Sequence, residues 1–234
     1  MKEKIKKLQK KLNNILHGNE EKVDKIKSTT RRASGGIKRQ TKGHIVEKIY
    51  SEIIEYCLKE KKSKFKLING MGNLPDDVKN RIPRLKVSKD YLNLKKLKFS
   101  PNENLLGYED KFDAFIVEKD KISMVIEYKA YSETTMLKRC LVDALIAQIH
   151  DKKIKYCLCL LQSQIGSRNN LISYSAHSLL SYFHDKYDVK ADILILVKQP
   201  RKVNEDIMKK KYEINFELLE NTVNYFMKHF DNTV

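Results

Sequence analysis

The 234-residue sequence predicts an α/β fold in which helices flank a mixed β-sheet. The pattern of apolar residues in each half of the chain leads to this prediction. Short apolar runs, which are typical of buried strands, alternate with amphipathic segments of helical length throughout the second half of the chain. Such alternation is the sequence pattern of a sheet covered by helices. The first half instead begins with a polar segment whose apolar residues recur at helical spacing, which predicts a helical, basic N-terminal arm.

The N-terminal arm is taken to be residues 1–42. Its first 28 residues are expected to form one or two polar helices, with an apolar stripe made of Ile5, Leu8, Leu12 and Leu16. The small residues and the paired glycines Gly35-Gly36 then predict a flexible loop up to residue 42. A helix is expected from about Gly43 to Lys59. We therefore place a second domain at residues 43–234, with its core at about 43–161.

The elements of the second half are more regular. Two apolar strands, Phe112–Glu118 and Ile122–Ala130, are expected to pair through a turn at 119–121. The later elements follow in the order helix 134–151, strand 154–161, helix 171–187, strand 192–197 and one or two C-terminal helices ending near residue 229. Between residues 65 and 107 the pattern is poor, and only Lys64–Ile68 and Lys96–Phe99 are candidate strands.

The net charge of +17 is the clearest indication of a binding partner, because it favours polyanions through counterion release. A merely solvated lysine-rich surface is the alternative. No segment approaches the ~18 consecutive apolar residues that span a bilayer, and no apolar signal core follows the N-terminus. A cytoplasmic protein without a membrane partner is therefore expected. The four cysteines lack zinc-site spacing and are expected to be reduced core thiols.

One strand pair carries the residues that predict chemistry. Side chains alternate along a strand, so Glu127 and Lys129 should share a face. A three-residue turn at 119–121 would place Asp113, on the preceding strand, opposite Glu127. Directly opposed residues have Cβ atoms within ~5.5 Å of each other, and two carboxylates at that distance repel unless a cation lies between them. Carboxylate oxygens are ligands that Mg²⁺ accepts, so the pair predicts a Mg²⁺ site.

Lys129 beside this pair would hold or deprotonate an attacking water and offset charge in a phosphorane-like transition state. The arrangement therefore suits metal-assisted hydrolysis of a phosphodiester. A cross-strand salt bridge between Lys129 and one of the acids is the alternative, although two acids against one lysine leave a negative site that such a bridge does not need.

The order of these residues resembles the PD-(D/E)xK nucleases, whose best-known members are type II restriction endonucleases. The resemblance rests on Asp113, the triplet Glu127-Tyr128-Lys129, and the helix and strand that follow, with Phe112 in the place of the proline. It covers roughly residues 43–161. It implies a restriction-endonuclease-like core and a further acid on the helix before the sheet. Glu47 is the matching residue, and a solvated helix-face glutamate is the alternative.

Three groups of residues are candidates for DNA contact. The basic loop, expected to bind phosphates or guanine edges, contributes Arg31, Arg32, Lys38, Arg39 and Lys42. Next to the catalytic strand, the candidates for binding the scissile phosphate are Tyr131, Ser132 and Lys138. The loop after strand 154–161 offers polar side chains that could read bases, namely Gln162, Gln164, Ser167 and Arg168.

Together these features predict a Mg²⁺-dependent endonuclease that cuts double-stranded DNA, of the type II restriction kind, with Asp113 and Glu127 as metal ligands. A homodimer is expected, because one active site cuts one strand and a palindromic target has two-fold symmetry. Two alternatives remain. One is a structure-specific repair or junction-resolving nuclease with the same core, and the other is a DNA-binding module without activity.

Overall fold

A computed structural model describes residues 1–18, 31–80, 84–86, 107–109, 112–149, 151–166, 170–199 and 212–231. The candidate strand Lys96–Phe99 lies outside these residues. The described residues form a 3₁₀ helix (Met71–Asn73) and six α-helices: α1 (Lys2–Gly18), α2 (Arg31–Lys61), α3 (Asp76–Lys79), α4 (Thr134–Gln148), α5 (Tyr174–Tyr187) and α6 (Phe216–Asp231). Seven strands accompany them: β1 (Phe65–Asn69), β2 (Arg84–Lys86), β3 (Gly107–Glu109), β4 (Ala114–Glu118), β5 (Lys121–Ser132), β6 (Lys155–Ser163) and β7 (Ala191–Val197).

The central sheet has five strands in the order β1-β4-β5-β6-β7. The pairs β1–β4 and β4–β5 are antiparallel, whereas β5–β6 and β6–β7 are parallel. Parallel neighbours need a crossover connection, and α4 and α5 provide the two crossovers. The short strands β2 and β3 pair with each other in a separate two-stranded sheet. The predicted mixed sheet flanked by helices, an α/β fold consistent with a restriction-endonuclease-like core, is confirmed.

The two faces of the sheet bury different cores. Along β5, Met124, Ile126 and Tyr128 belong to the core that the sheet shares with α1, α2 and α6. Val125 belongs to the second core, which the sheet shares with α4 and α5. Because successive side chains of a strand point to opposite faces, the odd-numbered residues Glu127 and Lys129 follow Val125. The charged pair therefore lies on the face that α4 covers.

Helix α1 forms as its apolar spacing predicts, and it is held by tertiary burial. Its stripe is buried in the same core as α2, α6 and the sheet, through Ile5, Leu8, Leu12 and Leu16. Each such side chain contributes about 1.5–3 kcal/mol when fully buried. On the polar edge, Lys4 Nζ lies 2.7 Å from Glu60 Oε2 of α2. None of the helices in the described residues is both long enough and apolar enough to cross a membrane.

The predicted loop over residues 31–42 is wrong, because α2 is a continuous helix from Arg31 onward. Glycine inside a helix costs about 1 kcal/mol relative to alanine. Ser34 and Ile37 flank the two glycines directly, and the segments on either side of them are rich in arginine, lysine, alanine and glutamine, which are strong helix formers and favour a continuous helix. The expected domain boundary between residues 42 and 43 consequently falls within α2.

The hairpin between β4 and β5 has a different turn from the predicted one. The pairing of the two strands nevertheless agrees with the prediction on the far side of a β-bulge. Glu118 pairs with Lys121 around a two-residue turn, in place of the expected three-residue one. A bulge follows, at which Ile116 pairs with Met124 and Val117 with Ile122. The unpaired residue is Ser123, whose hydroxyl donates to the Ile116 carbonyl over 3.1 Å. The extra residue restores the predicted alignment, so that Ala114 faces Ile126.

The four cysteines, Cys57, Cys140, Cys157 and Cys159, are free thiols and all are buried. Their prediction as reduced core residues is confirmed. Burial raises the pKa of the Cys57 thiol to about 12 and that of Cys140 to about 11. These thiols therefore remain protonated and pack as small apolar side chains.

Candidate active site

Backbone hydrogen bonds on both sides fix Asp113, which immediately precedes β4. Its N–H donates to the Ile126 carbonyl of β5 over 3.1 Å, and its carbonyl accepts from the Gly70 N–H over 2.7 Å. Its side chain is held as well, because Oδ2 accepts a hydrogen bond of 2.8 Å from the Tyr128 N–H. The carboxylate of Asp113 is thus directed along the sheet, toward the segment that carries Glu127 and Lys129.

Glu127 and Lys129 lie two residues apart on β5 and form an ion pair through Oε1 and Nζ. Lys129 Nζ also lies 3.7 Å from Asp113 Oδ2, so one ammonium contacts both carboxylates. The side chain of Glu127 is nearly buried at 11% exposure, whereas those of Lys129 and Asp113 are 30% and 40% exposed. The three predicted residues come together, and two of them are accessible from solvent.

Burial and charge act in opposite directions on this group. Burial raises the pKa of Glu127, the charge of Lys129 lowers it, and the nearby Asp113 raises it again, with a raised pKa as the result. Burial alone would lower the pKa of Lys129, but Glu127 and Asp113 raise it above its ordinary value. Lys129 is therefore an ammonium in this arrangement and acts as a hydrogen-bond donor.

The ion pairs are those of the salt-bridge alternative, and the same three side chains also carry the charge that a metal site needs. Two carboxylates share one ammonium, which leaves a net negative charge, and burial makes such a charge costly without a further cation. Hard oxygen donors of this kind suit Mg²⁺, which takes one or two carboxylates and keeps several waters. Among the described residues no group of three or more His, Cys, Asp and Glu side chains could hold a metal ion. Water and a substrate oxygen would therefore complete the coordination.

Glu47 lies on α2, which packs against the opposite face of the sheet from Glu127 and Lys129. Its Oε2 is 3.4 Å from Nδ1 of His44, one turn earlier in the helix. Its charge acts on the Tyr128 hydroxyl, whose pKa is raised first by burial and, to a lesser extent, by Glu47. The structure does not bring Glu47 into contact with the three-residue group, and its catalytic role stays a prediction.

The candidate DNA-binding residues have very different environments. The five basic ones, Arg31, Arg32, Lys38, Arg39 and Lys42, lie in the N-terminal part of α2. Ser132 is fully buried and its hydroxyl donates to the Glu133 carbonyl, so its side chain is not exposed to a phosphate here and its role as a phosphate contact stays a prediction. Gln162 is likewise buried and donates to the Gln199 carbonyl. Tyr131 packs half-buried against the core.

The remaining candidates are more accessible. Lys138 is exposed on α4, and Gln164 is half-buried with its backbone N–H donating to the Ser132 carbonyl. Ser167 and Arg168 lie outside the described residues. Two residues of α4 that the sequence analysis did not consider lie on the face of the sheet that carries the site: buried Asp143 and exposed Arg139. Their four-residue spacing, which pairs side chains on a helix, was the available signal.

Comparison with known proteins shows similarity to a type II restriction enzyme. The type II restriction enzyme DdeI of Desulfomicrobium norvegicum is 29% identical to this chain over 231 residues, which cover 92% of this chain and 91% of that protein. No family model and no solved structure matches. The similarity therefore spans nearly the whole of both chains.

Proposed function

We propose that this chain is a Mg²⁺-dependent endodeoxyribonuclease of the type II restriction class, which hydrolyses phosphodiester bonds in double-stranded DNA at a short specific site. The observation that carries the proposal is the convergence of Asp113, Glu127 and Lys129 at the β4–β5 pair. The similarity to a type II restriction enzyme along 92% of the chain supports the same class of activity.

Asp113 and Glu127 would hold the Mg²⁺. When bound there, the cation supplies a Lewis acid that polarises a phosphate oxygen and lowers the pKa of a coordinated water. The Tyr128 N–H positions the Asp113 carboxylate, since the hydrogen bond between them fixes where Oδ2 lies. The nearly buried Glu127 is oriented by its ion pair with Lys129.

Lys129 enters the reaction as an ammonium, because the two carboxylates raise its pKa. In that form it donates hydrogen bonds to the attacking water or to a non-bridging phosphate oxygen. Charge accumulates on those oxygens in the transition state, where a preorganised cation lowers the barrier. It could accept a proton from water only after losing one of its own, so positioning and charge stabilisation are the roles that its protonation supports.

Duplex DNA as substrate agrees with the net charge of +17. The basic residues at the start of α2, with Lys138 and Gln164 nearer the site, are the proposed contacts. We propose Glu47 as an auxiliary acid and a homodimer as the cutting assembly, because cleavage of both strands at a symmetric site needs two copies of the active site.

Incubation of the purified protein with plasmid DNA in Mg²⁺ or in EDTA tests this function. Discrete fragments in Mg²⁺ and none in EDTA would support a site-specific endonuclease. A smear would indicate cutting without sequence specificity, and preferential cleavage of a four-way junction would favour the repair-type alternative. Retained DNA binding without any cleavage would overturn the enzymatic proposal. Asp185→Asn, which changes an exposed acid on α5, is the matched control for the substitution of an acid in the proposed site. It should cut DNA like the wild type.

A further inference from the structure

A third acid, in addition to Asp113 and Glu127, lies near the proposed active site on the helix that covers it. Asp143, on α4, has only 11% of its side chain exposed. Burial is the main cause of the raised pKa of Glu127, and the charge of Asp143 adds to it less than that of Asp113 does, whereas Lys129 acts in the opposite direction. A buried carboxylate is costly unless it is paired, so its surroundings should contain a matching cation.

Arg139 is such a cation. It lies one turn before Asp143, and its Nε is 3.8 Å from Asp143 Oδ2. The side chain of Arg139 is 76% exposed, so the pair joins a buried acid to a guanidinium in solvent. A guanidinium has five N–H donors, and one contact through Nε does not saturate it. The remaining donors have the planar geometry that suits a phosphate.

The position of Arg139 relative to the site follows from its neighbour in sequence. The charges of Glu127 and Lys129 both act on the thiol of Cys140, whose pKa is raised first by burial. Leu137, Cys140 and Leu141 anchor this part of α4 on the same face of the sheet as the charged pair. Arg139 is exposed on this same part of α4, where it pairs with Asp143 over 3.8 Å.

We propose that Arg139, held in place by Asp143, binds a backbone phosphate of the DNA beside the proposed scissile phosphate. Asp143 is a positioning residue that acts through Arg139. The inference rests on the proposed nuclease function, which it extends by assigning the substrate contact on α4. The group has two cations, Lys129 and Arg139, and three acids, Asp113, Glu127 and Asp143, so its net charge is −1. A bound divalent cation would change the net charge to +1, which is opposite to the charge of a phosphodiester.

The first test measures binding alone, with a short duplex oligonucleotide in Ca²⁺ or EDTA over a range of salt concentrations. Arg139→Ala should reduce the slope of log Kd against log salt by about 0.9, the value expected for one lost phosphate contact. Lys186→Ala removes an exposed charge from α5 and should leave the slope unchanged. An unchanged slope in Arg139→Ala would overturn the proposal.

The second test uses single-turnover cleavage of DNA that the wild type cuts. Arg139→Ala should slow cleavage by about 10- to 100-fold, because the contact that positions the DNA backbone beside the scissile phosphate is lost. Arg139→Lys should recover part of this loss, because it keeps the charge but not the planar fork. A wild-type cleavage rate in Arg139→Ala would contradict the inference.

A double-mutant cycle tests whether Asp143 acts through Arg139. Asp143→Asn should slow cleavage in the wild type and have little additional effect in Arg139→Ala, because coupled residues give non-additive effects. Additive losses would mean that Asp143 does not position Arg139. Should the wild type bind DNA without cutting it, the nuclease proposal would fail while the salt slope would still decide whether Arg139 binds phosphate.

Discussion

The backbone N–H of Tyr128 donates a hydrogen bond of 2.8 Å to the carboxylate of Asp113. Tyr128 is the residue between Glu127 and Lys129, so its main chain positions one acid of the candidate site while its neighbours provide the other two groups. On the opposite face of the sheet the ring of Tyr128 is buried, with its centroid 6.1 Å from that of Tyr50. The position of the site is therefore tied to the packing of the principal core.

Asp113→Asn should abolish the proposed activity without unfolding the protein. The amide oxygen of asparagine can still accept the hydrogen bond from Tyr128, but the negative charge that would hold the cation is lost. We expect cleavage to fall by about 100-fold or more, comparable to the loss of a main electrostatic contact in an active site. Single-turnover cleavage and thermal unfolding, measured together, check this. Near-normal cleavage by a folded Asp113→Asn protein would exclude Asp113 from the site.

Lys129→Met should lower both activity and stability, and the loss of stability should depend on pH. Without its ammonium, Glu127 is buried beside Asp113, so its pKa rises further above the unfolded value. When the pKa of a carboxyl group is higher in the folded state than in the unfolded state, the group favours the folded state at pH values below its unfolded pKa. This contribution to stability is lost as the pH rises through the folded pKa. The variant should therefore be more destabilised at neutral pH than in acid.

Lys129→Arg is the matched control for this prediction. It keeps a positive charge beside Glu127 and should recover most of the stability, while the larger guanidinium should not restore cleavage. Denaturant unfolding at several pH values separates the two effects. Equal destabilisation of Lys129→Met at neutral and acid pH would contradict the proposed electrostatic role of Lys129.

Tyr50→Phe should affect stability but not the site. The buried hydroxyl of Tyr50 lies 2.8 Å from the Leu160 carbonyl and 2.9 Å from the Leu194 carbonyl, so it joins α2 to β6 and β7. Its removal should lower the free energy of unfolding by about 1 kcal/mol. Tyr174→Phe, at an exposed position on α5, should have no effect. Equal stability of Tyr50→Phe and the wild type would show that this hydroxyl contributes nothing net.

His229 should make the protein less stable as the pH falls below neutral. Burial, with a smaller effect from Lys155, lowers the pKa of His229 to about 4, whereas an unfolded histidine titrates near 6.5. At pH values between these two pKa values, the histidine is protonated in the unfolded state but not in the folded state. The free energy of unfolding therefore decreases as the pH falls. The decrease should be on the order of 3 kcal/mol between about pH 7 and pH 4.

His229→Gln should remove this contribution, although it should also lower stability near pH 7 by weakening packing against Phe65. The difference in unfolding free energy between wild type and variant should therefore shrink in acid. His184→Gln, which changes an exposed histidine of α5, should track the wild type at every pH. A constant difference for His229→Gln would show that its ring does not titrate as described.

Much of the fold could be predicted from the sequence because its signals are local. The alternating apolar runs of the second half identify the strands, and the spacing of Glu127 and Lys129 on β5 fixes their common face. The alignment of Asp113 with this pair was predicted through a turn that is not present. A two-residue turn and a bulge at Ser123 have the same effect on register as one longer turn, and only the paired backbone distinguishes them.

The remaining features depend on tertiary structure. The N-terminal extent of α2 was missed because paired glycines indicate a loop locally, whereas the neighbouring helix formers favour a continuous helix. Ser132 was predicted to be accessible because it follows shortly after Lys129. Strand β5, however, extends through Ser132, and its side chain is buried. The spacing of Asp143 from Arg139 indicates a pair on one helix face, but only the packing of α4 shows that Asp143 is buried and that its charge acts on Glu127.

The most direct test of the central proposal is a Mg²⁺ titration of single-turnover DNA cleavage, with wild-type protein and Glu127→Gln compared at equal saturation with DNA. Wild-type cleavage should rise to saturation with Mg²⁺ and stop in EDTA, and Glu127→Gln should bind DNA but cut at least about 100-fold more slowly. Wild-type cleavage that persists in EDTA, or Glu127→Gln that cuts at the wild-type rate, would contradict it.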